Sequence, residues 1–384
     1  MRFGITGCGR LICPLRPIRF GSCCKVARSR PNKSIFARLF GKFWTRPDSD
    51  FTPHRGQQTH VIILDGTMSS LTAGYESNAG LTYKLLREMG AALSIYYEPG
   101  PQWHDWRSAL DVAAGRGINR QIRRAYGYLA SRYRPGDQII LMGYSRGAYA
   151  VRSLAGVIDM VGLLRAEDAT ERNVRQTYRH YRDGPSSPAA RAFASAHCYP
   201  QVEIEMIGVW DTVKSLGFNA PILWRLSTAE HAFHTHALGG SVRNGFQALA
   251  IDENRVVYSP VLWTSPEGFE GYIDQVWFPG SHSDVGGHLN GFSEARGLSN
   301  IPLVWMLKQA NACGVPLPEE WQMRFPIDAT APSVGRWRGF AKLFLSRRKR
   351  IVGADPSERI DASVDVRRGS ADNPTPQVHA SSAE

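Results

Sequence analysis

Residues 138–147 read QIILMGYSRG, an apolar run that passes straight into Gly143-Tyr144-Ser145-Arg146-Gly147 and then into a helical pattern over 146–164. Gly-x-Ser-x-Gly between a strand and a helix presents its serine on a sharp turn at the carboxyl edge of a sheet. Gly143 and Gly147 are needed there because a Cβ would strike the neighbouring strand and helix, while the helix N-terminus beneath favours developing negative charge. The context predicts that Ser145 is a nucleophile.

The rest of the chain repeats the alternation. Apolar strands are expected at 60–64, 93–97, 138–142, 202–209 and 274–278, with helices at 78–89, 146–164, 170–183, 188–197, near 244–254 and at 299–312. Ile118, Ile122, Ala125, Tyr126, Leu129 and Tyr133 add an amphipathic helix between the second and third strands. Strand–helix alternation predicts an α/β fold, a mostly parallel sheet flanked by helices on both faces, with helical insertions.

A serine hydroxyl needs a base, and the base an orienting acid, in chain order Ser, Asp, His. Two strand ends supply them. The run IEMIGVW ends in Asp211, and QVWF ends in Pro279-Gly280-Ser281-His282-Ser283-Asp284, so Asp211 is read as the orienting acid and His282 as the general base. By itself Asp211 would read as a helix cap or a turn residue. Asp284 is the rival acid, but two positions from His282 it would point elsewhere on an extended backbone, and it reads as support for His282 or for the loop. The oxyanion hole needs two N–H groups. Arg146 supplies one, and Gly66 or Thr67, in the Asp65-Gly66-Thr67 turn after the first strand, the other.

Composition removes other classes. Of the net charge of +12, residues 1–50 carry +9, from eleven Lys/Arg against Asp48 and Asp50, so the basicity belongs to an arm and not to the body. No nucleic-acid partner is expected. No apolar run approaches the roughly 18–20 residues of a membrane-spanning helix. The N-terminus does not read as a signal peptide, its apolar stretch being broken by Arg10 and Arg16. Cys8, Cys13, Cys23 and Cys24 lack zinc spacing, and Cys198 and Cys313 stand far apart, so neither a disulfide framework nor a metal site is expected. His282, Asp284 and His288, or His231, His234 and His236, could bind a metal, but a polar loop is the simpler reading, and no cofactor is implied.

The expected organisation is a basic arm over 1–55, a catalytic domain over 56–368 and a disordered tail over 369–384. Within the arm, Ile35, Phe36, Leu39, Phe40, Phe43 and Trp44 fall at helical spacing among Arg38, Lys42 and Arg46. That helix could lie on an anionic membrane or dock on the body. A second basic segment, 336–350, interleaves Arg336, Arg338, Lys342 and Arg347, Arg348, Lys349 and Arg350 with Trp337, Phe340, Leu343 and Phe344. It too reads as a membrane-contacting face or as a solvated helix edge.

Six ordered blocks then carry a resemblance: DGT at 65–67, GYSRGAYAVRSLAG at 143–156, IGVWDTVKSLG at 207–217, ALAIDENR at 248–255, VWFPGSHSDVGGH at 276–288 and LSNIPLVWMLKQA at 298–310. Together they resemble the α/β-hydrolase family called domain of unknown function 2235, which includes the first class of type VI secretion lipase effectors. The resemblance implies an α/β-hydrolase-like fold and a Ser-Asp-His esterase whose nucleophile, acid and base fall on Ser145, Asp211 and His282. It departs at Gln247, where the family often has histidine, and at Asp361, where a His-Pro-Ser pattern is usual. The expectation is a serine esterase acting on a lipid or phospholipid acyl ester, cytoplasmic or peripherally membrane-associated and compatible with signal-independent export. The rival is a non-catalytic scaffold that binds a membrane or protein partner through its basic segments.

Overall fold

The computed structural model describes residues 56–101, 116–213, 237–265, 268–335 and 346–371. The arm with its four cysteines and the 35–46 helix, the histidines at 231, 234 and 236, and the 336–345 part of the second basic segment lie outside the described residues.

Seven strands form one sheet: β1 (Thr59–Leu64), β2 (Leu93–Glu98), β3 (Gln138–Tyr144), β4 (Ile204–Trp210), β5 (Val242–Ala250), β6 (Tyr272–Phe278) and β7 (Glu358–Ile360). Their order is β2-β1-β3-β4-β5-β6-β7, and every neighbouring pair is parallel. Parallel strands need long crossovers, and eight helices lie among the described residues: α1 (Asn78–Arg87), α2 (Arg116–Ala130), α3 (Arg146–Met160), α4 (Glu171–Asp183), α5 (Pro188–His197), α6 (His282–Gly286), α7 (Arg296–Ala312) and α8 (Ser363–Ala371).

The period of two along each strand splits the core into two layers. Ile62, Leu64, Ile139 and Leu141 pack with α2 and α3 on one face; Val61, Ile63, Ile140 and Met142 pack with α1 and α7 on the other. Strands buried on both faces read as continuous apolar runs, which is why β1 and β3 stand out in the sequence. Helix starts follow capping chemistry. Ser77, Thr170 and Ser187 accept hydrogen bonds from the N–H groups of Gly80, Asn173 and Ala190, with Pro188 in the first turn of α5.

One element is corrected. The helix expected near 244–254 is strand β5, because Phe246, Gln247, Ala248, Leu249 and Ala250 fill a central slot between β4 and β6 and are all buried. Ladder hydrogen bonds on both sides override the helix propensity of Gln-Ala-Leu-Ala. At the far end, α8 runs to Ala371, three residues into the stretch expected as tail. Asp361 caps that helix, accepting from the Ser363 N–H at 2.9 Å.

Register places the chemistry. Tyr144 pairs with Trp210, and Trp210 with Ala248, so β3, β4 and β5 reach the same edge together, while Ala250 pairs with Phe278. The residues that follow β3, β4 and β6 therefore emerge side by side at the carboxyl end of the sheet, where ligands of open α/β sheets bind.

Candidate active site

Ser145 sits between β3 and α3 with φ 56° and ψ −119°. A non-glycine residue held there stores strain that only a rigid surrounding maintains. The surround is visible. The Ser145 N–H donates to the Trp210 carbonyl at 3.0 Å, and the Ser145 carbonyl accepts from Tyr149 at 3.2 Å. A Cβ on Gly143 would lie 2.7 Å from the Gly147 carbonyl oxygen, and one on Gly147 only 2.1 Å from that of Leu64. Both glycines are required for α3 to pass so close beneath the sheet edge.

The structure brings together the three residues the sequence singled out. Ser145 Oγ lies 2.9 Å from His282 Nε2, and His282 Nδ1 lies 2.5 Å from Asp211 Oδ2. All three are buried. Burial alone would raise the Asp211 carboxyl, but the Arg350 guanidinium and His282 hold it well below the usual carboxylate range. Ionised, it only accepts, so Nδ1 carries the proton and Nε2 is left to accept from the serine hydroxyl.

Asp211 is held by more than histidine. Its N–H donates to Ala248, and its Oδ1 accepts from the Ala250 N–H at 3.1 Å. Arg350 grips both oxygens, Nη1 to Oδ1 at 2.5 Å and Nη2 to Oδ2 at 2.9 Å. This corrects the sequence reading of Arg350 as part of a surface cluster: its side chain is 4% exposed and belongs to the site. Arg348 and Lys349 beside it are exposed.

His282 opens α6, which the extended-loop expectation missed. Asp284 points away from the imidazole and ties the loop: it accepts from the Ser281 N–H and hydroxyl, from the Ser333 hydroxyl and from the Val334 N–H. The His282 N–H donates to Glu253 at 3.1 Å, and Glu253 is paired with buried Arg255. Burial would raise Glu253, but Arg255 holds it below its ordinary range. Two tyrosine rings stack on the imidazole, Tyr258 at 4.5 Å and Tyr144 at 5.0 Å between centroids. Arg255 lies over the outer ring of this stack, 4.4 Å from the Tyr258 centroid. Tyr144 is itself wedged, since a Cβ on Gly66 or Gly286 would overlap its ring.

The Asp65-Gly66-Thr67 turn adjoins the serine, a Gly66 Cβ lying 3.4 Å from that of Ser145. The Gly66 N–H is committed to Asp65 Oδ1 at 2.6 Å, whose other oxygen accepts from Ser77 and Tyr97. Burial nevertheless pushes the Asp65 carboxyl up. Of the two N–H groups proposed on this turn, only that of Thr67 lacks an acceptor among the described residues, and the Thr67 hydroxyl is buried without a partner there. Arg146 is partly buried and meets no acidic group among them; burial lowers its pKa. Gln247, at the departure from the family pattern, accepts from Thr212 and Arg152 and donates to Val261, so it braces the loop behind Asp211. Among the described residues no three His, Cys, Asp or Glu side chains converge as metal ligands would.

Residues 58–309 match the family model described as T6SS, Phospholipase effector Tle1-like, catalytic domain. The chain belongs to this family. The matched span of the Tle1-like domain holds Ser145, Asp211 and His282 but ends before Ser333, Val334 and Arg350. An uncharacterized protein of Saccharomyces cerevisiae, YEL023C, is 26% identical over 240 residues, 53% of this chain and 35% of its own length. Among solved structures, an uncharacterized protein from Pseudomonas aeruginosa is 15% identical with a TM-score of 0.41, covering 75% of this chain and 50% of that one. The Tle1 effector bound to the VgrG spike of the type 6 secretion system is 17% identical with a TM-score of 0.27, covering 61% of this chain and 52% of that one. The Tle1-like chain thus spans about a third of the yeast relative and about half of each solved chain.

Proposed function

We propose that this Tle1-like domain is a serine esterase that cleaves the acyl ester of a phospholipid through an acyl-enzyme. The observation that carries the reading is the line of hydrogen bonds from Ser145 Oγ to His282 Nε2 and from Nδ1 to Asp211, mounted on a strained strand-to-helix turn. Ser145 Oγ attacks the ester carbonyl as His282 Nε2 takes its proton, and Asp211 holds the imidazolium that forms. The N–H groups of Arg146 and Thr67 hold the oxyanion, each worth about 3 kcal/mol of transition-state stabilisation. His282 then gives its proton to the departing alcohol. Water, deprotonated by the same nitrogen, attacks the acyl-enzyme and returns Ser145 with its hydroxyl.

Two observations support a phospholipid over a neutral ester. The family is one of phospholipase effector catalytic domains. The Arg146 guanidinium, next to the nucleophile and without an acidic neighbour among the described residues, suits a phosphodiester. Peripheral membrane contact through 35–46 and the 336–350 segment, Arg350 apart, and export by a signal-independent secretion system belong to the same proposal. No described helix is long and apolar enough to cross a membrane.

The test is labelling of the folded full chain with a fluorophosphonate, comparing wild type, Ser145→Ala and His282→Ala, followed by fatty-acid release from phospholipid vesicles. Labelling and release by wild type alone are expected. A folded wild type that takes no label would overturn the serine mechanism and leave the scaffold reading in its place.

A further inference from the structure

We propose that Arg350, outside the family-matched span, is a positioning residue of the active site that fixes Asp211 and through it the orientation of His282. The inference rests on the serine-esterase reading and goes beyond it by adding a fourth side chain to the machinery.

The geometry is that of a clamp. The Arg350 fork engages both carboxylate oxygens, and the same two nitrogens donate to the Ala250 carbonyl at 2.8 Å and the Tyr258 carbonyl at 2.6 Å. With the Ala250 N–H on Oδ1 and His282 on Oδ2, the carboxylate has a donor on each side of both oxygens and cannot rotate. One guanidinium therefore joins the two groups that hold the imidazole, the carboxylate it hydrogen-bonds and the residue whose ring it stacks on. The backbone that delivers Arg350 is itself pinned. Val256 N–H donates to Ser346, Arg348 N–H donates to Asn254, and Arg255 and Arg347 form an antiparallel bridge.

The experiment measures kcat and KM on a short-chain p-nitrophenyl ester for the full chain, Ser145→Ala, Arg350→Met and Arg350→Lys, with thermal unfolding and fluorophosphonate labelling of each. In Arg350→Met kcat is expected to fall about a hundredfold or more, with KM within about threefold of wild type, because the carboxylate loses both arms of its clamp. Arg350→Lys keeps the charge but not the fork, so kcat falls about ten- to a hundredfold from misorientation while KM again stays within about threefold of wild type. If Arg350→Met fails to fold, the lysine variant carries the test alone. Wild-type kcat in either Arg350 variant, or a loss of kcat/KM carried by KM alone, overturns the proposal. A wild type whose turnover equals that of Ser145→Ala overturns the esterase reading and this inference with it.

Discussion

The imidazole of His282 stacks on the ring of Tyr258, with centroids 4.5 Å apart and planes inclined by 18°. A stacked ring pair contributes about 0.5–1.5 kcal/mol beyond the area it buries, here holding the imidazole in line with Ser145. Tyr258→Ala is expected to lower kcat on a p-nitrophenyl ester about tenfold. Tyr258→Phe keeps the ring and should stay within about threefold of wild type. Equal activities in the two variants would remove the stack from the mechanism.

Thr67 offers a test that separates catalysis from stability. Its buried hydroxyl has no partner among the described residues, so Thr67→Val removes an unsatisfied polar group and should leave the melting temperature unchanged or raised. If the hydroxyl faces the oxyanion, kcat falls about a hundredfold while Thr67→Ser stays near wild type. A fully active valine variant would confine Thr67 to its N–H.

Arg146 should read the substrate's charge. Arg146→Met is expected to raise KM for a phospholipid about tenfold or more, the worth of a hydrogen bond to a charged group, and to leave KM for a neutral acylglycerol unchanged. Parallel rises for both substrates would assign the side chain to packing instead.

Acid should unfold the protein through its buried carboxylates. Asp211 and Glu253 are held below their ordinary ranges, so the unfolded chain takes up protons first as pH falls. Their contribution is whole above about 4, the ordinary carboxylate value, and is lost below it towards their depressed folded values. Asp65, pushed up by burial, acts in the opposite sense: its contribution is whole below about 4 and is lost as pH rises through its folded value. Melting temperatures from pH 7 to pH 3 should drop by at least on the order of 5 °C below pH 4. Asp65→Asn should flatten the slope above it. A melting temperature constant to pH 3 would contradict the first expectation.

Close approach beneath the serine makes Gly147 irreplaceable. Gly147→Ala sets a Cβ against the Leu64 carbonyl and is expected to cost on the order of 3 kcal/mol or more, with no soluble protein a consistent result. Gly369→Ala, exposed in α8 with nothing nearby, should stabilise by up to about 1 kcal/mol. Equal melting temperatures for the two variants would refute the packing argument.

How much of this was legible in the chain depends on the range of the interaction. β1, β3, β4 and β6 could be read because strands buried on both faces leave unbroken apolar runs, and α2 because its apolar face recurs every three to four residues. β5 could not, since Gly-Phe-Gln-Ala-Leu-Ala carries no period that excludes a helix and only its two neighbours make it a strand. Ser145, Asp211 and His282 were readable because each follows an apolar strand and the fold collects strand ends. Arg350 had no such signal. Within Arg-Arg-Lys-Arg nothing local separates the guanidinium that turns inward from those that face water. Asp284 was half readable: its role in the loop was expected, but the helical turn that aims it at Ser281, Ser333 and Val334 needed partners about fifty residues away.

Ser145 and Arg350 stand about two hundred positions apart in the chain. Synthesis at about 5–20 residues per second separates their emergence by roughly ten to forty seconds. The turn that carries the serine and most of the sheet can form in that interval, while Asp211 still waits for its clamp. Assembled in this order, the line from Ser145 through His282 to Asp211 is laid down before the guanidinium that fixes the carboxylate has emerged.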